Sequence, residues 1–153
     1  MEIYLLRHGI AEDGYPDSER ALTAEGKEKL RRVLKRAAVK PSLILSSPYV
    51  RAVETAEIAA DVLGYHGDIE KAQSLTPDGS PAEVWEEIRA RKTEDAILLA
   101  SHEPLMSATA AFLLGAPGLQ VDMKKAALAR VDVDRFGPQP LGVLKWMLTP
   151  AVA

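Results

Sequence analysis

The sequence contains no cysteine among its 153 residues. Without thiols the chain can form no disulfide framework, no thiolate metal site and no cysteine nucleophile, so any nucleophile must be another residue type. No apolar run is long enough to span a bilayer, and the first apolar residues follow no basic region or cleavage site. We therefore expect a cytoplasmic protein that does not associate with membranes.

An excess of positive charge is also missing. The chain has 19 basic and 22 acidic residues, for a formal net charge of −3, whereas nucleic-acid-binding proteins usually carry a basic face. We therefore expect no nucleic-acid partner. A hydrophobic content of 47%, a charged content of 27% and the absence of repeats or linkers predict one globular domain over residues 1–153.

Short apolar runs alternate with amphipathic segments along the chain. Helical spacing of apolar residues predicts four helices, and short apolar runs predict six strands, the last two closer to a sheet edge. The order predicts an α/β protein of three layers, with a mainly parallel central sheet and helices on both faces. The predicted helices cover residues 23–38, 47–63, 80–91 and 104–114. The predicted strands lie at residues 3–6 and within 42–47, 67–75, 95–102, 127–134 and 142–149.

Helix N-termini carry recognisable capping residues. Thr23 is a predicted N-cap, and Ser47 is another, with Pro48 at the first helical position. Ser80 and Glu83 match the capping box, in which the two side chains satisfy free backbone N–H groups of the first turn.

Three of the predicted strands lead to basic side chains. The first ends at Arg7 and His8, the second leads into a helix that carries Arg51 about one turn in, and the third ends at His102. In an open α/β sheet, ligands bind beyond the carboxyl ends of the strands. If these strands are neighbours, two histidines and two arginines converge on one crevice.

The composition of this cluster favours an anion with several oxygen atoms. Histidines alone would suggest a metal ion, but two fixed guanidinium charges would repel one, and guanidinium groups match phosphate oxygens. A neutral imidazole can attack phosphorus and form a covalent phosphohistidine. His8 is the better nucleophile candidate because Gly9, which follows it, allows the backbone and a phosphate to approach closely. Neither a metal ion nor an organic cofactor is expected.

Three sequence segments resemble the histidine phosphatase superfamily, in particular its SixA-type phosphohistidine phosphatase branch. They are "LLRHG", "SSPYVRAVETA" and "ASHEP", and the likeness extends to "RALTAEGKEKL" and "SLTPDG". The resemblance implies a phosphoglycerate mutase-like fold, with His8 as the phosphoryl acceptor. It also implies a phosphate pocket formed by Arg7, Arg51 and His102, with Arg20 close to it.

One departure from the superfamily pattern concerns the proton donor. Mutase-like and acid-phosphatase-like relatives carry a glutamate near the segment where this chain has Pro77 and Asp78, which leaves Asp78 as a candidate general acid. An alkoxide leaving group needs such an acid, whereas the imidazole of phosphohistidine can depart neutral once it is protonated. The missing glutamate therefore favours phosphohistidine on a signalling or phosphotransfer protein. The short chain between Arg51 and His102 favours a pocket open enough for such a protein.

Two other functions stay open on the sequence alone. One is a phosphatase of the same superfamily that acts on small phosphorylated metabolites such as sugar or nucleotide phosphates. The other is a phosphate-binding module that kept the pocket and lost turnover. The sequence does not indicate an oligomeric state.

Two charged segments are interpreted as solvated surface. The acidic residues Glu12, Asp13, Asp17 and Glu19 could hold a metal ion or repel unsuitable substrates, but we expect an exposed loop. The basic run at residues 27–36 places most of its charges on the outer face of an amphipathic helix. That placement favours a solvated helix over nucleic-acid or membrane binding.

Overall fold

The computed structural model describes residues 1–153, which form a six-stranded sheet with helices packed against it. The strands are β1 (Glu2–Arg7), β2 (Leu43–Ser46), β3 (Ile69–Lys71), β4 (Ala96–Ser101), β5 (Leu128–Asp132) and β6 (Val143–Leu148). The helices are α1 (Ala24–Ala37), α2 (Val50–Leu63), α3 (Pro81–Arg89) and α4 (Leu105–Leu113). Short 3-10 helices lie at Asp17–Glu19, Gln73–Leu75 and Pro150–Val152.

The sheet is mostly parallel, as predicted. Its strand order is β3-β2-β4-β1-β5-β6, with parallel pairing among the first four strands. Strand β5 pairs antiparallel with both β1 and β6, and β6 forms one edge of the sheet. No helix combines the length and the apolar composition that crossing a bilayer requires.

Alternating side chains of the central strands divide the interior into two cores. Ile3 and Leu5 of β1 pack on one face with the apolar side chains of α3 and α4. Tyr4 and Leu6 pack on the other face with those of α1 and α2. This alternation is the period-two geometry of a strand, and it gives the three layers that the sequence predicts.

The pairing of β1 with β4 explains why basic residues from distant segments meet. Arg7 pairs with Ser101 in a parallel register, so His8 and His102 both follow the carboxyl ends of their strands, on the same side of the sheet. The backbone N–H of His8 donates to the Ser101 carbonyl at 2.9 Å, which extends the pairing by one residue. Strand β2 lies on the other side of β4 and brings the start of α2 to that edge.

Two of the predicted N-caps are confirmed and one is wrong. Thr23 accepts from the backbone N–H of Gly26 at 2.9 Å, and Ser80 accepts from that of Glu83 at 3.3 Å. Helix α2, however, begins at Val50 and not at Pro48. The Ser47 hydroxyl accepts from the N–H of Tyr49 in the bend before the helix and also contacts the His102 ring, so it does not cap α2.

Candidate active site

The backbone around His8 distinguishes the two nitrogen atoms of its ring. Nδ1 lies 2.7 Å from the carbonyl oxygen of Gly9, to which it can only donate, so the neutral ring leaves Nε2 unprotonated. Arg51 Nε donates to that Nε2 atom at 3.3 Å. His8 is only 7% exposed. Burial, aided by the charges of Arg51 and Arg7, lowers the pKa of its ring to about 4. At neutral pH, Nε2 therefore carries a lone pair.

Gly9 is required for packing against α1. A Cβ atom at Gly9 would lie 2.8 Å from Leu30 Cδ1 and 3.1 Å from the carbonyl oxygen of Gly26, both in α1. The Gly9 N–H also donates to Thr55 Oγ1 at 3.3 Å. The glycine thus lets the loop after β1 lie against α1, and the close approach of a phosphate that the sequence suggested stays a prediction.

His102 lies beside His8 and is almost completely buried. The two ring centroids are 5.2 Å apart with an angle of 62° between the ring planes. His102 Nε2 is 2.8 Å from the hydroxyl oxygen of Ser47, whereas its buried Nδ1 has no hydrogen-bond partner in the protein. Burial first, and then the neighbouring His8 and Arg51, lower the pKa of His102 to about 3. The second imidazole is therefore also neutral.

Arg51 is held from three sides in the first turn of α2. In addition to its contact with His8, it donates through Nη1 to the Asp17 carbonyl at 2.8 Å and through Nη2 to the Asp17 carboxylate at 3.1 Å. Its guanidinium group lies over the ring of Tyr49 at 5.1 Å from the centroid. The planar group is therefore fixed in orientation next to the two imidazoles.

Arg7 contributes a second guanidinium group at the end of β1. Its Nη1 donates to the carbonyl oxygen of Met123 at 2.8 Å, but its Nε is buried without a partner. Burial lowers the pKa of this arginine, although nearby Glu103 and Asp122 oppose the effect. A buried donor without an acceptor is costly in a folded protein.

Asp17 is exposed, as the sequence suggested, but its carboxylate also pairs with two arginines of the site. It accepts from Arg51 and also from Arg20 Nε at 2.8 Å, and these arginines hold the pKa of its carboxyl group below its usual value. Arg20 additionally donates to the carbonyl oxygen of Glu12 at 3.1 Å. The side chains of Glu12 and the other acidic residues of this segment, Asp13 and Glu19, are exposed as expected.

One cavity of about 300 Å³ brings these groups together. Five of the six site residues that the sequence singled out line it, namely Arg7, His8, Arg20, Arg51 and His102. The sixth, Asp78, is exposed and does not line the cavity, although its neighbour Pro77 does. The remaining lining residues are Ala11, Asp13, Asp17, Glu103 and Lys125.

Sequence reasoning missed several of these contributors. Ser47 precedes a proline, and this pattern predicted an N-cap. Its contact with His102 was therefore not predicted. Asp17 is 34 residues from Arg51 with no periodic relation to it, and the location of Lys125 depends on the turn before β5. Glu103 could have been predicted as a lining residue, since it follows His102 directly. Its carboxylate, however, accepts from the backbone N–H of Ser107 at 2.6 Å.

Comparisons with known proteins agree with this geometry. A sequence model of the histidine phosphatase superfamily (branch 1) matches residues 3–76. Over 157 aligned residues, the chain is 32% identical to the phosphohistidine phosphatase SixA of Escherichia coli K12, covering 98% of this chain and 94% of SixA. The chain belongs to the SixA-type branch of the histidine phosphatase superfamily. An uncharacterised Picosynechococcus protein is 35% identical over 138 residues, covering 84% of this chain and 82% of that protein.

The solved structures place this superfamily member in the same fold. The structure of the protein histidine phosphatase SixA complexed with tungstate superposes with a TM-score of 0.88 and 30% sequence identity. That match covers 99% of this chain and 98% of the SixA chain. The phosphoglycerate mutase-like fold that the resemblance implied is therefore confirmed.

Proposed function

We propose that the protein is a metal-independent phosphatase that removes the phosphoryl group from phosphohistidine on another protein, with His8 as the nucleophile. The observation that carries this proposal is the unprotonated Nε2 of His8 in a cavity shared with three guanidinium groups. The close sequence and structural likeness to SixA supports the choice of phosphohistidine. A cytoplasmic location stays a prediction from the sequence.

The cavity has the donors that a phosphoryl group needs. Guanidinium groups bind phosphate oxygens in pairs, and Arg7 Nε and His102 Nδ1 are the buried nitrogen atoms that lack a partner in the protein. Tungstate, which is bound in the related SixA structure, is a tetrahedral oxyanion like phosphate. We infer that Arg7, Arg51 and His102 stabilise the charge on the equatorial oxygens, with Arg20 at the outer side of the cavity.

The reaction proceeds in two displacements at phosphorus. The lone pair of His8 Nε2 attacks in line, the Nε2–P bond forms, and the P–N bond of the substrate breaks as its protonated imidazole departs neutral. The proton stays on His8 Nδ1, and its hydrogen bond to the Gly9 carbonyl oxygen stabilises the positive charge of the phosphorylated ring. Water then attacks phosphorus, orthophosphate leaves, and Nε2 regains its lone pair.

The carboxyl groups near the cavity favour a phosphoramidate over an ester. The two arginines keep Asp17 ionised, and Glu103 accepts a backbone hydrogen bond of α4, so neither is poised to protonate an alkoxide. Asp78 lies outside the cavity lining, and its role as general acid stays a prediction. If Asp78→Asn leaves turnover of an alkyl phosphate unchanged, that role is excluded.

Two peptides that differ at one position test the substrate class, one with phosphohistidine and one with phosphoserine at that position. We expect kcat/KM to favour phosphohistidine by about 100-fold, because the ester lacks the proton that a general acid would supply. Activity on both peptides must disappear in His8→Ala. Preference for phosphoserine would overturn the proposed substrate and favour the small-molecule phosphomonoesterase.

A further inference from the structure

A second, larger cavity of about 650 Å³ adjoins the catalytic one. The two cavities share Arg7 and Lys125 in their linings. The larger cavity adds Lys29, Arg32 and Lys124, which makes five basic side chains and no carboxylate. This basic cleft is notable because the chain as a whole has a net charge of −3.

The charges of the basic cleft remain available to a ligand. Lys29 and Lys124 each contact one carboxylate outside the lining, Glu25 at 3.0 Å and Asp122 at 3.1 Å. Those carboxylates are 66% and 75% exposed, and exposed pairs of this kind contribute little and exchange readily. Lys125 has no ion pair within the structure. The charged residues at 27–36 form a solvated face, as the sequence suggested, and two of its cations, Lys29 and Arg32, also line the cleft.

Backbone hydrogen bonds fix the basic cleft relative to the nucleophile. The N–H of Ala126 donates to the carbonyl oxygen of His8 at 3.1 Å, and that of Arg7 donates to the carbonyl oxygen of Ala127 at 3.0 Å. The turn that carries Lys124 and Lys125 is therefore bonded directly to Arg7, which ends β1, and to His8, which follows it. A group bound by these lysines is held at a set distance from His8 Nε2.

The floor of the basic cleft suits aliphatic side chains. Ile10, Ala126, Pro150 and Ala151 line it, and Arg32 holds the last of the 3-10 helices by donating to the Pro150 carbonyl at 2.9 Å. No aromatic ring lines the cleft, so it offers no stacking surface for a nucleotide base. Aliphatic and acidic side chains in one segment match both its floor and its charge.

We propose that the basic cleft binds an acidic segment of the substrate protein, next to the phosphohistidine that enters the catalytic cavity. The carboxylates of that segment contact Lys29, Lys124 and Lys125, while its aliphatic side chains cover the apolar floor. This inference rests on the proposed function. It adds a selection for phosphohistidines that have acidic neighbours.

Matched peptides test the selection. One carries phosphohistidine flanked by glutamate and leucine, and the other has glutamine in place of each glutamate. We expect kcat/KM to be about ten times higher for the glutamate peptide than for the glutamine peptide in the wild-type protein. In Lys29→Gln/Lys124→Gln this ratio should approach one, because KM for the glutamate peptide rises. The double variant Lys35→Gln/Lys40→Gln loses the same charge from exposed lysines outside both cavities and should keep the wild-type ratio.

A binding measurement separates the cleft from the chemistry. Fluorescence anisotropy of the unphosphorylated glutamate peptide should show binding that weakens from about 0.05 M to 0.5 M salt, because exposed charges are screened. Equal kcat/KM for the two peptides, or an unchanged ratio in Lys29→Gln/Lys124→Gln, would overturn the inference alone. If neither peptide lost its phosphoryl group, the proposed function would fail, and the inference with it.

Discussion

His8 and His102 have the same side chain but different surroundings, and those surroundings leave different ring nitrogen atoms free. The Gly9 carbonyl fixes the tautomer of His8 and exposes Nε2 to Arg51, whereas Ser47 engages Nε2 of His102 and leaves its Nδ1 without a partner. Both rings are buried among positive charges, so both stay neutral at physiological pH. A neutral ring is required of a nucleophile.

The protonation state of His8 can be observed directly. We expect its Nδ1 to be protonated and its Nε2 bare at pH 7, with little change down to about pH 5, because burial lowers the pKa to about 4. Long-range ¹H–¹⁵N NMR spectra report both nitrogen shifts during a titration. The exposed His66 provides a reference ring in the same sample. A His8 midpoint near the ordinary imidazole value of about 6.5 would contradict the assignment.

Substitution of Arg51 by lysine tests the value of the planar guanidinium group. Lysine keeps the charge but cannot donate to His8 Nε2 and to both Asp17 oxygen atoms at once. We expect Arg51→Lys to lower kcat/KM for a phosphohistidine peptide by about 10²- to 10³-fold, which corresponds to the loss of one oriented donor at a transition state. Arg31→Lys, at an exposed ion pair with Asp61, should leave it unchanged. Equal effects of the two substitutions would refute this role for Arg51.

At the scale of elements, the contact between α1 and the loop after β1 positions His8. Gly26 lies in the first turn of α1, where a Cβ atom would overlap the carbonyl oxygen of Ile10 and lie 2.9 Å from its nitrogen. Gly9, which precedes Ile10 in the loop, contacts the same helix. Two glycines, one in the loop and one in α1, therefore let the two segments approach each other. This close approach holds the segment from His8 to Ile10 in place.

Gly26→Ala should therefore destabilise the protein, contrary to the usual effect of alanine in a helix. Alanine within a helix is normally favoured over glycine by about 1 kcal/mol. Here the clash is with backbone atoms, and we expect a net loss of about 2–3 kcal/mol in the free energy of unfolding. Urea denaturation measures it. Gly118→Ala, where an added Cβ meets nothing within 4 Å, should change stability little. A more stable Gly26→Ala would show that α1 and the loop are not tightly coupled.

Across the whole molecule, the sequence predicted what depends on local patterns and missed what depends on distant contacts. Apolar periodicity and capping residues located the helices and strands, and parallel strands that share one edge brought Arg7, His8, Arg51 and His102 together. The start of α2 was wrong because the Ser47 hydroxyl serves His102, which is 55 residues away. The basic cleft escaped notice because its cations come from three separate segments: the end of β1, helix α1 and the turn before β5.

The free energy of unfolding of the whole molecule should decrease as the pH is lowered, because both site histidines are buried as neutral rings. Their folded pKa values, about 4 and about 3, lie below the unfolded value of 6.5. The unfolded chain therefore binds more protons as the pH falls below 6.5, so stability is lost on acidification. We expect a loss of about 2 kcal/mol per histidine in the free energy of unfolding between pH 7 and pH 5.

Urea denaturation at the two pH values measures this loss, and comparison with variants assigns it. The double variant His8→Gln/His102→Gln should show a much smaller pH dependence, whereas His66→Gln should behave as the wild type. An unchanged pH dependence in the double variant would mean that the site histidines are not the groups responsible.

The most direct test of the central claim is to trap the covalent intermediate. The protein is mixed with a peptide carrying ³²P-labelled phosphohistidine, quenched with alkali within milliseconds, digested, and mapped by mass spectrometry. We expect an acid-labile, alkali-stable phosphoryl group on Nε2 of His8, and its absence in His8→Ala. Turnover without label on His8, label on another residue, or phosphate binding without any transfer would contradict it.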